Sequence, residues 1–199
     1  MIRTFRLVLK MALPAAAALT LAGCLSLGGK PPPTLFSFTP AQAEPAGQTT
    51  SGTSQGAIVV LEPESDQRLS VNRVLVTVDE SNVAYLKKAQ WVARPARLFQ
   101  NLVAETIRAR SSRLVFTDAE ASTSGAMRLA GRLLDAGYDA QSQSVIVRYD
   151  AIRESAGNQV STRRFEAREP VAKPDPKLIG PALNRVANQV ASDVAGWVG

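Results

Sequence analysis

Two periodicities alternate along this chain. Leu98, Phe99, Leu102, Val103 and Ile107 recur every three or four residues behind Pro95, which predicts an amphipathic helix over 95–110. Ile179, Leu183, Val186, Val190, Val194 and Trp197 repeat the pattern behind Asp175-Pro176, an N-cap followed by a first-turn proline. Between and before them the period drops to two. Thr34–Thr39, Ala57–Leu61, Val71–Val78, Val83–Lys88 and Arg113–Thr117 read as short strands, with Val74, Val76 and Val78 on one face. Three longer strands follow at 126–138, 144–153 and 159–168, separated by hairpin-like connectors at 136–139 and 155–158. A helix over 126–136 is the competing reading, but Gly125, Gly131 and Gly137 weigh against it. The third long strand carries Arg163, Arg164 and Arg168, as suits a sheet edge. Pro40–Gly56, rich in Ala, Gly, Ser, Thr and Gln, reads as a mobile loop, and 118–125 as a polar loop. The expected fold is α+β, a single domain whose mixed, mostly antiparallel sheet is covered by two amphipathic helices.

The first 24 residues break this pattern. Arg3, Arg6 and Lys10 precede an apolar run, Met11–Ala22, that is too short to span a bilayer at about 20 residues. A basic segment, a short apolar core and small residues before a cleavage point describe a secretory signal peptide. Its end, Leu21-Ala22-Gly23-Cys24, resembles the bacterial lipobox, in which the Cys thiol is acylated and the bond between Gly23 and Cys24 is cut. The plainer alternative is an ordinary secretory signal with an incidental Cys nearby. Cys24 is the only Cys of the chain, and acylation explains why a lone thiol stands in an exported protein. The domain plan is therefore a signal peptide over 1–23, a lipidated Cys with a Gly- and Pro-rich tether over 24–33, and a folded domain over 34–199. No Asp follows Cys24, which by resemblance to the lipoprotein sorting rule favours the periplasmic face of the outer membrane.

Charge and composition exclude more than they assign. Three of the 23 basic residues and none of the 17 acidic ones lie in 1–23, so the remainder carries only +3. So small an excess does not suggest nucleic acid. The chain has no His, and its one Cys serves as the anchor, so a zinc or transition-metal site and a Ser-His-Asp or Cys-His centre are not expected. No cofactor is expected, nor a catalytic residue; the protein does not read as an enzyme. Glu62, Glu64 and Asp66 read as a solvated turn rather than a calcium site, because no further ligands sit at loop spacing. Trp91, Arg94 and Arg97 stand together before the first helix. Trp91 is either a core aromatic at the start of that helix or, with Arg94 and Arg97, a partner contact, since Trp and Arg concentrate in interface hot spots.

The order of lipobox, short Pro-rich tether, aromatic strand, Tyr85…Trp91…Pro95 leading into a helix, three strands, and a C-terminal helix ending Gly196-Trp197-Val198 resembles the ABC-type transport auxiliary lipoproteins. That family includes the C component of the paraquat-inducible mammalian-cell-entry (MCE) transport system. The resemblance implies a fold similar to the N-terminal domain of the Tol-system B protein. It also implies a non-catalytic accessory role in lipid transport between the two membranes, an MCE-domain protein as partner, and self-association into a ring. The competing reading is a lipoprotein that assists outer-membrane assembly, at lipopolysaccharide export or a secretion pore.

Overall fold

The computed structural model describes residues 34–117, 126–155 and 159–199. The signal segment, Cys24 and the tether lie outside the described residues, as do the expected loop at 118–125 and positions 156–158 of the expected connector. The described strands are β1 (Thr34–Phe36), β2 (Ile58–Val60), β3 (Glu64–Ser65), β4 (Arg73–Thr77), β5 (Val83–Trp91), β6 (Val115–Thr117), β7 (Met127–Asp139), β8 (Ser144–Ser155) and β9 (Gln159–Pro170). The helices are α1 (Pro95–Arg110) and α2 (Pro176–Val198).

All nine strands form one mixed sheet around β7. One edge of β7 pairs antiparallel with β8 from Arg128↔Glu154 to Asp139↔Ser144. Its other edge is shared end to end by three parallel strands: β2 at 127–129, β3 at 132–133 and β4 at 137–139. β6 extends the sheet beyond β2, and β5 followed by β1 extends it beyond β4. β9 pairs only with β8 among the described residues and is an edge, as its polar sequence predicts.

Both helices form where the apolar period places them. Asp175 caps α2 by accepting a hydrogen bond from the Lys177 amide at 2.9 Å, and Pro176 occupies the first turn, where a missing N–H costs nothing. Arg108 and Arg110 stand in the last turn of α1, where cations suit the helix dipole. Ile179, Leu183, Val186, Val190 and Val194 are buried, and Ala182, Ala187 and Ala191 between them let α2 lie close to the sheet. Each of the larger side chains contributes about 1.5–3 kcal/mol of apolar burial before entropy is charged. The 40–56 connection, read as a mobile loop, runs across both helices. The amides of Thr39 and Ala41 donate to Asn184 and Asn188 of α2 at 2.8 and 2.7 Å, and the Glu44 amide donates to Glu105 of α1 at 2.8 Å.

Three expectations are corrected. Ala136–Asp139 is not a connector but the last part of β7; the turn follows at 140–143, where Asp139 accepts from the Gln141 amide and the Ser142 hydroxyl. Gly137 serves close packing, since a Cβ there would lie 2.4 Å from the Leu75 carbonyl oxygen. Val78 does not share the buried face of Val74 and Val76: β4 ends at Thr77, the Val78 amide turns to the Asn82 carbonyl, and Leu75 is buried instead. The strand expected at 83–88 continues to Trp91 through a bulge, because Arg73 pairs with Gln90 while Leu75 pairs with Tyr85. Lys88 sits in this bulge with φ 61°.

Gly131 occupies the middle of β7 with φ 152°. A Cβ there would meet the Asp150 carbonyl oxygen at 2.1 Å and the Tyr149 ring at 2.8 Å. The Tyr149 hydroxyl donates to the Ala130 carbonyl at 2.7 Å, which holds the ring over the glycine. Gly131→Ala must displace backbone rather than a flexible side-chain end, so it is expected to lower stability by about 1–3 kcal/mol. Urea titration measures this directly; an unchanged midpoint would show that the strand accommodates the methyl group.

Candidate interaction surfaces

The residues singled out before the first helix separate in the structure. Trp91 ends β5 and is only 2 % exposed. Phe38 packs on it at 4.8 Å between ring centroids and Phe36 at 5.8 Å edge-on, so the indole is a core aromatic with no free face for a partner. Its Nε1–H is buried and finds no acceptor among the described residues. Arg94 and Arg97 point outward and converge on Glu62 just past β2: Arg94 Nη2 lies 3.0 Å from Oε1 and Arg97 Nη1 3.8 Å from Oε2. Arg97 also donates to Gln100 Oε1, whose buried amide donates in turn to the Val60 carbonyl at 2.8 Å. A buried hydrogen-bonded Gln thus orients the base of an Arg pair at the surface. The acidic turn is likewise dispersed. Glu62 faces the two arginines, Glu64 enters β3, and Asp66 pairs with Arg68 at 2.7 Å.

The sheet face away from the helices carries a ladder of charges that sequence reading did not assemble. Arg164 forks onto Asp150 at 2.5 and 2.6 Å, across the β8–β9 pair. Arg148 bridges Glu166 at 2.5 Å on one side and Asp135 at 2.8 Å on the other, and Arg168 pairs with Glu166 at 2.6 Å. Asp135 lies at a register shift in β7 and also faces Arg68 at 3.5 Å. Burial pushes the Asp135 carboxyl above the usual range against the pull of Arg148 and Arg68. The hydrogen bonds from Arg164 hold Asp150 below it. The signal for this surface was present as charges at alternate positions, 148 and 150 in β8 and 164, 166 and 168 in β9. Which charges meet depends on strand register, which no local pattern gives.

Among the described residues no group of three His, Cys, Asp or Glu side chains could hold a metal ion. No helix among them is long and apolar enough to cross a membrane. The described residues present an ion-paired sheet face, an edge strand and an Arg pair at the surface.

Residues 36–195 match the sequence profile of the ABC-type transport auxiliary lipoprotein component. The chain belongs to this family. Two solved structures of low sequence identity share its fold. A Xanthomonas campestris protein aligns with TM-score 0.68 at 15% identity, covering 83% of this chain and 94% of that one. The crystal structure of an uncharacterized protein aligns with TM-score 0.67 at 10% identity, covering 84% of this chain and 99% of that one. A PelC dodecamer from Paraburkholderia phytofirmans aligns with TM-score 0.44 at 10% identity, covering 74% and 94%. No curated protein matches the sequence. The family membership makes the chain an auxiliary lipoprotein of ABC-type transport, and the matched segment begins at Phe36 in β1.

Proposed function

We propose that the protein is a periplasmic lipoprotein anchored through Cys24 in the outer membrane, and a non-catalytic auxiliary component of an ABC/MCE-type lipid transport system that links the inner and outer membranes. The observation that carries this reading is the family match over 36–195, downstream of a Leu21-Ala22-Gly23-Cys24 segment that resembles a lipobox and holds the only Cys of the chain. The chain has no His, which removes the commonest general acid-base residue and agrees with a docking role. The partner is an MCE-domain protein. Arg94, Arg97 and the ladder around Arg148 and Arg164 supply charged positions for its contact, and the polar edge β9 suits self-association into a ring. Crosslinking in intact cells, followed by identification of the captured protein, tests the reading. An MCE-domain protein is the expected capture. Recovery of only barrel-assembly or lipopolysaccharide-export proteins would replace this role with one in outer-membrane assembly.

A further inference from the structure

The ion pairs of this domain are made by part of its arginines. Arginines such as Arg148, Arg164, Arg168 and Arg185 are tied into ion pairs. The described residues contain four lysines, Lys87, Lys88, Lys173 and Lys177. All four are exposed, and among the described residues none makes an ion pair. They are also together. Lys87, Lys88 and Lys173 line one open recess of about 470 Å³ with Pro174, Asp175 and Pro176, and Lys177 follows at once. Asp175, the acid among them, uses Oδ1 on the Lys177 amide as the α2 cap. The β5 bulge and the left-handed Lys88 lift two of the lysines out of the ladder.

This cluster lies where the tether enters the fold. Thr34, the first described residue, pairs with Ala89, the residue after Lys88. Phe36 in the same strand lies against Gly180 in the first turns of α2, next to Lys177. Leu35 and Leu178, 55 % and 45 % exposed, add apolar side chains to the same end. Nine residues separate Thr34 from Cys24. At roughly 3.3–3.6 Å per residue they hold this end within about 35 Å of the anchor.

We infer that this lysine cluster is a membrane-facing surface that binds the anionic phosphate headgroups of the bilayer holding the anchor. The inference rests on Cys24 being lipidated. Lysine is matched to such a surface because its ammonium is a strongly hydrated point charge that meets diffuse negative charge without fixed geometry, whereas a protein carboxylate is better matched by the Arg fork. The exposed leucines would reach the headgroup boundary. Contact of this kind fixes which end of the domain faces lipid.

The test is amine labelling of the full chain, read residue by residue by mass spectrometry. Wild-type protein and Cys24→Ala are each mixed with vesicles of phosphatidylcholine alone or with about one third phosphatidylglycerol. Flotation of wild type, but not Cys24→Ala, on neutral vesicles reports the anchor separately. The patch is read from the lysines of whichever protein is vesicle-bound, and for Cys24→Ala at millimolar lipid. We expect labelling of Lys87, Lys88, Lys173 and Lys177 to fall about threefold or more on anionic relative to neutral vesicles, and to recover in high salt as the surface potential is screened. Equal labelling on the two vesicle types overturns the inference, whether or not the anchor holds. So does protection that appears only when an acidic protein partner is added.

Discussion

Cys24→Ala is expected to remove the protein from the membrane fraction and abolish acyl labelling. Buried acyl chains contribute about 0.8 kcal/mol per CH2, and a single myristoyl chain gives only reversible binding, so stable attachment through Cys24 takes a second acyl chain or a basic patch beside the first. No helix among the described residues is long and apolar enough to cross a bilayer. The substitution also leaves Ala22-Gly23 followed by Ala, a small-residue site of the kind ordinary signal cleavage uses. The variant should therefore appear as a soluble periplasmic protein rather than a retained precursor. Fractionation with radiolabelled palmitate measures both properties at once. Unchanged labelling and membrane retention would mean that Cys24 is not the anchor, and would remove the basis on which outer-membrane placement is proposed.

Trp91→Ala is expected to cost about 3–5 kcal/mol, the range for removing a large buried aromatic. The indole is 2 % exposed and packs against both Phe38 and Phe36, so its loss opens a cavity where β5, β1 and the following chain meet. For a domain of this size that is a fall in melting temperature of roughly 10 °C. Trp91→Phe sharpens the test. The buried Nε1–H has no acceptor among the described residues, and leaving such a donor unpaired costs about 1–3 kcal/mol. Phe removes that cost while keeping most of the ring, so the variant should lie within about 1.5 kcal/mol of wild type. If Trp91→Ala instead keeps full thermal stability and loses only its crosslinked partner, the ring reaches the surface in the working protein and belongs to the interface.

The two residues beside it show what local reading can reach. Arg94 is exposed, Arg97 half-buried and the Trp buried, although the segment 91–97 contains no cue that distinguishes them beyond residue type. Trp91 is buried because β1 lies parallel to β5 and brings Phe36 and Phe38 onto it. That pairing joins segments more than fifty residues apart, a contact that no periodicity in either segment encodes. The charge ladder has the same origin. Arg164 meets Asp150 only because the β8–β9 register sets Asp150↔Arg164 opposite, and a one-residue slip would place different charges together.

By itself the sequence determined the parts whose physics is local. Both helices follow from a 3.6-residue apolar period with Pro at the start, and their observed bounds, Pro95–Arg110 and Pro176–Val198, begin where those signals stand. The three long strands and the polar character of the edge β9 were legible from alternation, and the absence of His and of a second Cys bounded the chemistry without any fold. The tertiary structure alone decided how the short strands pair, three of them end to end along β7, and that Gly131 and Gly137 serve close packing rather than turns. It alone gathered Lys87, Lys88, Lys173 and Lys177 beside the tether exit, through a bulge in β5 and the approach of α2 to β1. Local backbone preference and side-chain periodicity act over a few residues. Register, close approach and the meeting of charges are settled by the free energy of the whole packed sheet, to which every strand contributes at once.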